Sequence, residues 1–394
     1  MPEIIIRKVE GQEMLDLLFR LDNYAFSPTP PFPNREEWEG RVQTRIGPQY
    51  YALFEDGQGV AIAACPTLTQ NARGAIFKMA GVADVSTHPG ARRKGYIRML
   101  MRACFREMQA QGYVLSSLYP FRESFYERLG YVTFAQSQQA IFQAADLRPL
   151  LKKDLGGEME LVLIGEGYAT YLGYVRQMQT GTHGMGVFID PQTESAQANR
   201  AWLLLAKSGG ETIGLMSYTI KGDEMMNYTF QATRFYHRTA QAKYLLLEWI
   251  ARHVDQAGNA RLWLPAYEQP NTWLADLRPK IEPVFVAPMG RVLDVSGING
   301  METGPGNFCA QIVDPDCPWN NGTWKFESDS GKLTISPAQS ADCTLTIQGL
   351  SALIYGVNDP ADFAIRGWGN PTPELVTTLR EIFPPKLPYL HEYY

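Results

Sequence analysis

From Ala75 the chain reads AIFKMAGVADVST, a largely apolar stretch, then HPGARRKG, then YIRMLMRACFREMQAQG. An apolar extended run that hands over to an amphipathic helix through so short a junction fixes a strand, a tight turn and a helix packed back on the strand. That is an α/β layer design. Ile97, Leu100, Met101, Cys104, Phe105 and Met108 recur at steps of three and four and form the stripe to be buried, while Lys94, Arg98, Arg102 and Arg106 follow at four-residue steps on another face. Gly112 is placed to end the helix, and the pattern starts it near Arg93 or Lys94.

Such a junction leaves the first amide N–H groups of the helix unpaired and pointing one way, which makes an anion site. Gly95 lets an anion approach the backbone closely, and Arg92, Arg93 and Lys94 add positive charge beside it. Other phosphate-binding patterns are missing. The sequence has no G-x-x-x-x-G-K-[ST], and none of GEG (165–167), GPG (304–306) and GWG (367–369) completes a G-x-G-x-x-G.

Three regions follow one another along the 394 residues. Residues 1–150 alternate short strands and helices: IIIRKV, the helix GQEMLDLLFRLDNYAF, a hairpin from YYALFED to GVAIAACPTLT, the junction, YVLSSLY, a short helix in RESFYERLG, and YVTF. Residues 151–287 echo that order with the hairpin AWLLLAKSGGETIGLMSYTI, the strand MMNYTFQATRFYH and the helix TAQAKYLLLEWIARHVDQAG, ended by Gly258, but their junction HRTAQAKYL lacks the glycine. Residues 288–394 change character again: FCAQIVD, WKFES, KLTIS and CTLTIQG alternate as half-buried antiparallel strands, LSALIYG and ELVTTLREIF read as helices, and PPKLPYLHEYY is an extended tail.

The formal net charge of −5 gives no reason to expect nucleic acid or an anionic membrane as partner, and leaves cationic small molecules open. Five scattered cysteines, none in a CxxC pair, imply neither a disulfide framework nor a metal site. No run approaches the ~20 apolar residues of a membrane span, and MPEIIIRKVE is charged too soon for a signal peptide, so the expectation is a soluble, cytoplasmic protein.

Arg92-x-x-Gly95-x-Ile97 resembles the R-x-x-G-x-[G/A or aliphatic] turn of the Gcn5-related N-acetyltransferase (GNAT) superfamily. Taken with SSLYPFRESFYERLGYVTF, the D-P-x-C-P-W-N-x-G-x-W pattern at 314–324 and the terminal HEYY, the chain resembles the enhanced intracellular survival (Eis) family of acetyltransferases along its whole length. The resemblance implies tandem GNAT folds, the second degenerate, followed by a sterol-carrier-protein-like α/β domain, with acetyl-CoA as co-substrate, no metal, and hexameric self-association. By position it implies that Val85, Ser86 and Thr87 pair with the pantetheine amides, that Arg93, Lys94, Gly95, Tyr96, Ile97 and Arg98 hold the pyrophosphate, and that Phe121 and Arg122 line the cofactor.

Acetyl transfer to an amine needs a neutral nitrogen and a proton for the departing thiolate. Tyr126 is the candidate acid, because a phenol with a pKa near 10 stays protonated at neutral pH. The family's base is the C-terminal carboxylate, here on Tyr394. With a carboxyl pKa of about 3.5 it is a poor base against an ammonium near 10, so its work is to orient the amine and collect its proton. Phe26, Phe32 and Trp38, among Glu36, Glu37 and Glu39, offer aromatic and acidic walls to a polycationic acceptor such as an aminoglycoside, or form a plain proline-rich surface loop. Asp84 is a further amine contact if it faces inward. Protein lysines are the next acceptor class, and a carrier of lipid or apolar ligands that senses CoA without turnover is the competing reading.

Overall fold

The computed structural model describes residues 2–27, 29–43, 49–189, 200–222 and 228–394. The chain divides into two compact units, Met1–Ala135 with Gln179–Pro191 and Ala287–Tyr394, and Gln136–Met178 with Gln192–Val286.

The first unit is built on a nine-stranded sheet. Its main path runs β1 (Ile4–Val9), β2 (Gln49–Glu55), β3 (Gln58–Cys65), β5 (Ala75–Thr87), β6 (Leu115–Leu118), the strand Met289–Val292 and β7 (Val132–Thr133). β4 (Thr67–Ala72) pairs with β5, and Gly186–Phe188 pairs with β4. Alternate residues of β2 and β3 serve two cores, as a pleated strand requires. Tyr50, Ala52, Ile62 and Ala64 pack with Leu15, Leu17, Leu18 and Leu21 of helix α1 (Gly11–Phe26), whereas Tyr51, Leu53, Ala61 and Ala63 pack with Leu100, Met101, Cys104 and Phe105 of helix α3 (Tyr96–Ala110). Between them in sequence lies helix α2 (Arg35–Gln43).

The last region of the chain enters this sheet directly. Met289–Val292 pairs antiparallel with β6 on one side and β7 on the other. The rest of that region forms a four-stranded sheet in the order Thr334–Pro337, Gly322–Ser328, Gly306–Val313, Cys343–Thr346. One expectation fails here. Cys343–Thr346 runs parallel, not antiparallel, to Gly306–Val313, because the chain crosses from one edge of the sheet to the other and hands over at Thr346, the N-cap of the helix Ile347–Tyr355.

The second unit has seven strands in the order Lys280–Pro283, Gln138–Gln143, Ala257–Leu264, Tyr228–His237, Glu211–Lys221, Trp202–Ser208, Glu158–Leu163. Its antiparallel meander ends in the parallel pair Tyr228–His237 with Ala257–Leu264, which repeats the β5–β6 arrangement of the first unit. The expected strand start at Met225, Met226 and Asn227 lies outside the described residues. Gly258 does not end the helix: Ala240–Ala251 stops at Arg252, and Gly258 lies inside Ala257–Leu264, at the register shift between the Tyr228–Ala257 and Thr229–Asn259 pairs. At this helix's start Thr239 Oγ1 accepts the Ala242 N–H at 3.1 Å, so a side chain already caps an amide that an anion would need.

Behind the sheet of the first unit, the helix Ile347–Tyr355 ends on two buried groups. Arg73, held at φ +48°, donates to the carbonyls of Leu353, Ile354 and Pro384. His183 Nδ1 accepts the Arg73 N–H at 3.0 Å, which leaves Nε2–H to donate to the Tyr355 carbonyl at 3.0 Å. Burial, with Arg73 nearby, pushes the His183 pKa down from 6.5 to about 3. The folded chain therefore keeps this ring neutral where the unfolded chain binds a proton. Its contribution is intact above about pH 6.5 and is lost at about 1.4 kcal/mol per unit as pH falls toward 3, where the folded state protonates too. Urea unfolding followed between pH 6.5 and 5 should show this slope, and His183→Gln should flatten it; an equal slope in the variant would count against the assignment.

Candidate active site

The site grows from the place where β5 leaves β6. Their parallel ladder runs from Met79–Leu115 to Val82–Leu118 and stops. Beyond it Asp84 takes a left-handed φ of +48°, and Asp84 and Val85 together stand opposite Ala63 of β3. This bulge bends β5 and re-aims its last residues. The result is a cleft along Asp84 to Thr87, with β6 closing only its base.

At the head of the cleft the chain turns through Pro89–Ala91, with His88 Nδ1 accepting the Gly90 N–H at 3.2 Å. Arg93 and Gly95 are both left-handed, at φ +65° and +81°, and that is why α3 starts at Tyr96 instead of two or three residues earlier. Gly95 is the N-cap and no side chain caps the helix, so its leading amides remain available to an anion. A Cβ at Gly95 would meet nothing within 4 Å, so what calls for glycine here is backbone conformation and room beside the turn.

The basic residues of the turn have distinct partners. Arg92 lies over the Tyr24 ring, 5.7 Å from its centroid. Lys94 is held by Glu55 at 2.7 and 2.9 Å, and Tyr96 donates to the same carboxylate at 2.5 Å. The hydrogen bond from Lys94, then that from Tyr96, keep the Glu55 carboxyl below its usual range. Arg98 is taken by the buried Asp316 at 2.9 Å, which also holds Arg102 at 2.6 Å. Burial alone would raise the Asp316 pKa, but the hydrogen bonds from Arg98 and Arg102 outweigh it and hold the group below its ordinary value. Ile97 is half-buried and packs toward the α3 core, so it supports the turn from below.

Along the cleft, Val85 and Thr87 are half-buried, while Ser86 is 2% exposed with its Oγ unpartnered among the described residues. Tyr50 donates to Asp84 Oδ2 at 3.3 Å. On the far side, helix α4 (Glu123–Glu127) carries Tyr126, which is buried and meets Phe121, Phe125 and Tyr131 edge-on or nearly so. Burial pushes its phenol pKa up, so the hydroxyl keeps its proton through neutral pH. Phe121 is 70% exposed, and Arg122 is the exposed N-cap of α4.

The C-terminal tail returns to the paired part of β5 and β6. Tyr389 N–H donates to the His183 carbonyl at 2.8 Å, Leu390, His391 and Glu392 are buried, and the Tyr394 hydroxyl lies 2.5 Å from Ser117 Oγ on β6. Ser116, the preceding residue, bonds the Tyr131 hydroxyl at 2.7 Å. Successive residues of a strand face opposite ways, so the Tyr126–Tyr131 cluster and Tyr394 reach β6 from its two faces.

The acceptor wall expected from residues 23–40 does not assemble as one surface. Trp38 is 8% exposed and packs edge-on against Phe19 at 5.2 Å, whereas Phe26 is 63% exposed. A cavity of about 210 Å³ opens between α1 and the turn, lined by Arg20, Leu21, Tyr24, Phe32, Thr87 and His88 among others. Among the described residues, its lining carries the rings of Tyr24 and Phe32 and the guanidinium of Arg20, and no carboxylate. Asp84 lies on β5 itself, where it accepts from Tyr50, and Glu392 is buried in the tail. Sequence reasoning missed Ser117, Gly81, Glu55 and Asp316; the only local signal was the pair Ser116–Ser117 in an otherwise apolar strand.

A parted parallel strand pair with a bulge thus feeds an uncapped helix through a left-handed glycine. Residues 6–134 match the family described as acetyltransferase (GNAT) domain, and residues 305–391 match the sterol carrier protein domain. The chain is an enzyme of the GNAT N-acetyltransferase type. An uncharacterized N-acetyltransferase of Streptomyces avermitilis is 23% identical over 321 residues, covering 72% of this chain and 73% of that protein. Among solved structures, GCN5-related N-acetyltransferases from Anabaena variabilis (17% identity, TM-score 0.84, all of both chains) and Kribbella flavida (21%, TM-score 0.82, 100% and 99% of the two chains) share the fold. So does Eis1 of Mycobacterium abscessus, at 16% identity and TM-score 0.75 over all of both chains.

This fold implies acetyl-CoA as the donor, and the residues present fit it: an uncapped helix start for phosphate, and a cleft whose strand β5 continues past its β6 partner. Gly95→Ala should weaken acetyl-CoA binding about tenfold while leaving the fold intact, since a side chain at positive φ is strained and crowds the turn. Calorimetric titration checks this; unchanged affinity would remove the turn from the donor site.

Proposed function

We propose that the enzyme is an Eis-family N-acetyltransferase that transfers acetyl directly to primary amines, with Tyr126 as general acid and the C-terminal carboxylate of Tyr394 as the group that receives the amine's proton. What supports this reading above all is the bond between the Tyr394 hydroxyl and Ser117, which brings the end of the chain to the base of the donor cleft. Acetyl-CoA supplies an activated thioester. The chain's own residues do the rest. The amides at the start of α3, with Arg92 and Arg93, bind the phosphates; Val85, Ser86 and Thr87 align the pantetheine arm; and Tyr126 delivers a proton at its hydroxyl to the departing sulfur.

Direct transfer needs the amine held over the face of the thioester carbonyl and a proton donor beside the departing sulfur. The C-terminal carboxylate orients the amine. Deprotonating an amine of pKa near 10 at pH 7 costs about 4 kcal/mol, which a carboxylate of ordinary basicity does not supply alone. The carboxylates of Asp84 on β5 and of Glu392 in the tail support aminoglycoside-like polyamines as the favoured acceptors and protein lysines as the next class. The Eis-like architecture also supports self-association as a hexamer.

Adding one residue after Tyr394 moves the carboxylate off its place without touching the turn. Turnover of acetyl-CoA with kanamycin or spermine, read by thiol release, should fall by about a hundredfold or more while acetyl-CoA binding is retained. An extended enzyme of full activity would remove the terminus from the mechanism.

A further inference from the structure

The end of the chain is held by its ring. Ser117 is fully buried, and its Oγ lies 2.5 Å from the Tyr394 hydroxyl and 3.1 Å from Met79 Sδ. Sulfur accepts and cannot donate here, so the arrangement that uses both protons has Ser117 donating to Met79 and the phenol donating to Ser117. Directly across the β5–β6 ladder from Ser117 is Gly81. A Cβ on Gly81 would stand 2.6 Å from Cε2 of the Tyr394 ring. Glycine is needed here for room. Tyr119, just beyond the end of β6, stacks on Tyr393 at 4.9 Å, meets Tyr394 edge-on at 6.0 Å and donates its hydroxyl to the Leu390 carbonyl at 3.4 Å.

We propose that Gly81 and Ser117 form a socket for the terminal aromatic ring, and that Ser117 is a positioning residue that aims the C-terminal carboxylate at the acceptor amine. The proposal rests on the reading that this carboxylate handles the amine's proton. Ring and carboxylate hang from the same Cα, so a ring fixed by contact at Gly81 and by a hydrogen bond at Ser117 restricts where the carboxylate can lie. An unanchored chain end would spread over many rotamers and spend little time in the productive one. The socket also accounts for the residue type. It admits a ring whose para position carries a donor, and the tyrosine at 394 satisfies both conditions.

Four variants and one protease test this. Ser117→Ala and Tyr394→Phe delete the same bond and leave the carboxylate in the chain, so each should lower kcat about tenfold, and their combination should be no slower than the slower single. Acetyl-CoA affinity by calorimetry should stay within about twofold in all three, which separates lost aim from lost donor binding. Gly81→Ala, which expels the ring, should lose at least as much kcat. Carboxypeptidase A reads the anchor without reference to activity: release of the C-terminal residue should be about tenfold faster from Ser117→Ala than from the parent. Parent-like kcat in both single variants, or losses that multiply in the double variant, would overturn the socket. Should the chain extended past Tyr394 remain fully active, the carboxylate's role fails instead, and the carboxypeptidase rates alone then decide the socket, with equal rates overturning it.

Discussion

Everything the site does follows from β5 parting from β6 after four paired residues. Parallel strands normally stay in register until both end. Here Asp84 takes a left-handed conformation, puts two residues opposite one on β3, and swings the rest of β5 away. The strand that opens the cleft also delivers Arg92 to Gly95 at its head. The bulge at Asp84 frees the end of β5 from β6, and the left-handed Arg93 and Gly95 then set the uncapped start of α3. In the second unit the equivalent strand pair is present but Thr239 caps its helix, so the same architecture is left without its anion site.

β6 turns that opening into a two-sided site. It is only four residues long, and its central pair is polar between two leucines. Ser116 faces the Tyr131–Tyr126 cluster and Ser117 faces the tail, so the pleat itself assigns the two tyrosines to opposite faces. Buried hydroxyls without partners are costly, and here each is matched by a phenol. The tail in turn is rooted by Arg73, which ties the Pro384 carbonyl to the end of the helix Ile347–Tyr355, and by His183, whose carbonyl takes the Tyr389 N–H. The chain end is therefore fixed at its root and at its tip.

The strand, turn and helix at 75–112 were legible in the sequence because their signals are local: apolar periodicity, one glycine, a run of cations. The helix start was read two or three residues early because a cation at 93 or 94 looks helical by composition, while its left-handed φ is set by the turn. Trp38 shows the opposite failure. Flanked by glutamates it reads as a surface aromatic, yet α2 turns it against Phe19 and into the core. Gly81, Ser117 and Tyr394 are brought together across more than two hundred residues, and no periodicity in any one segment announces such a contact. The C-terminal carboxylate entered through resemblance to a family, not through any pattern in PPKLPYLHEYY.

The distribution of charge at the turn decides which groups matter for donor binding. Of the cations from Arg92 to Arg98, Lys94 is already neutralised by Glu55 and Arg98 by Asp316, so neither reaches an incoming phosphate without giving up a carboxylate. Exchanging one charged partner for another gains little in water-exposed surroundings. Asp316 is itself buried and is oriented by the Asp314 side chain, which ties Arg98 and Arg102 to the Asp314–Asn320 turn and gives them a structural task. Arg92 and Arg93, both outside the helix, are left with the backbone amides. Among the described residues, Arg92, Arg93 and the uncapped amides at the start of α3 are the groups of the turn that no carboxylate holds, and they share the spacing from Arg92 to Gly95.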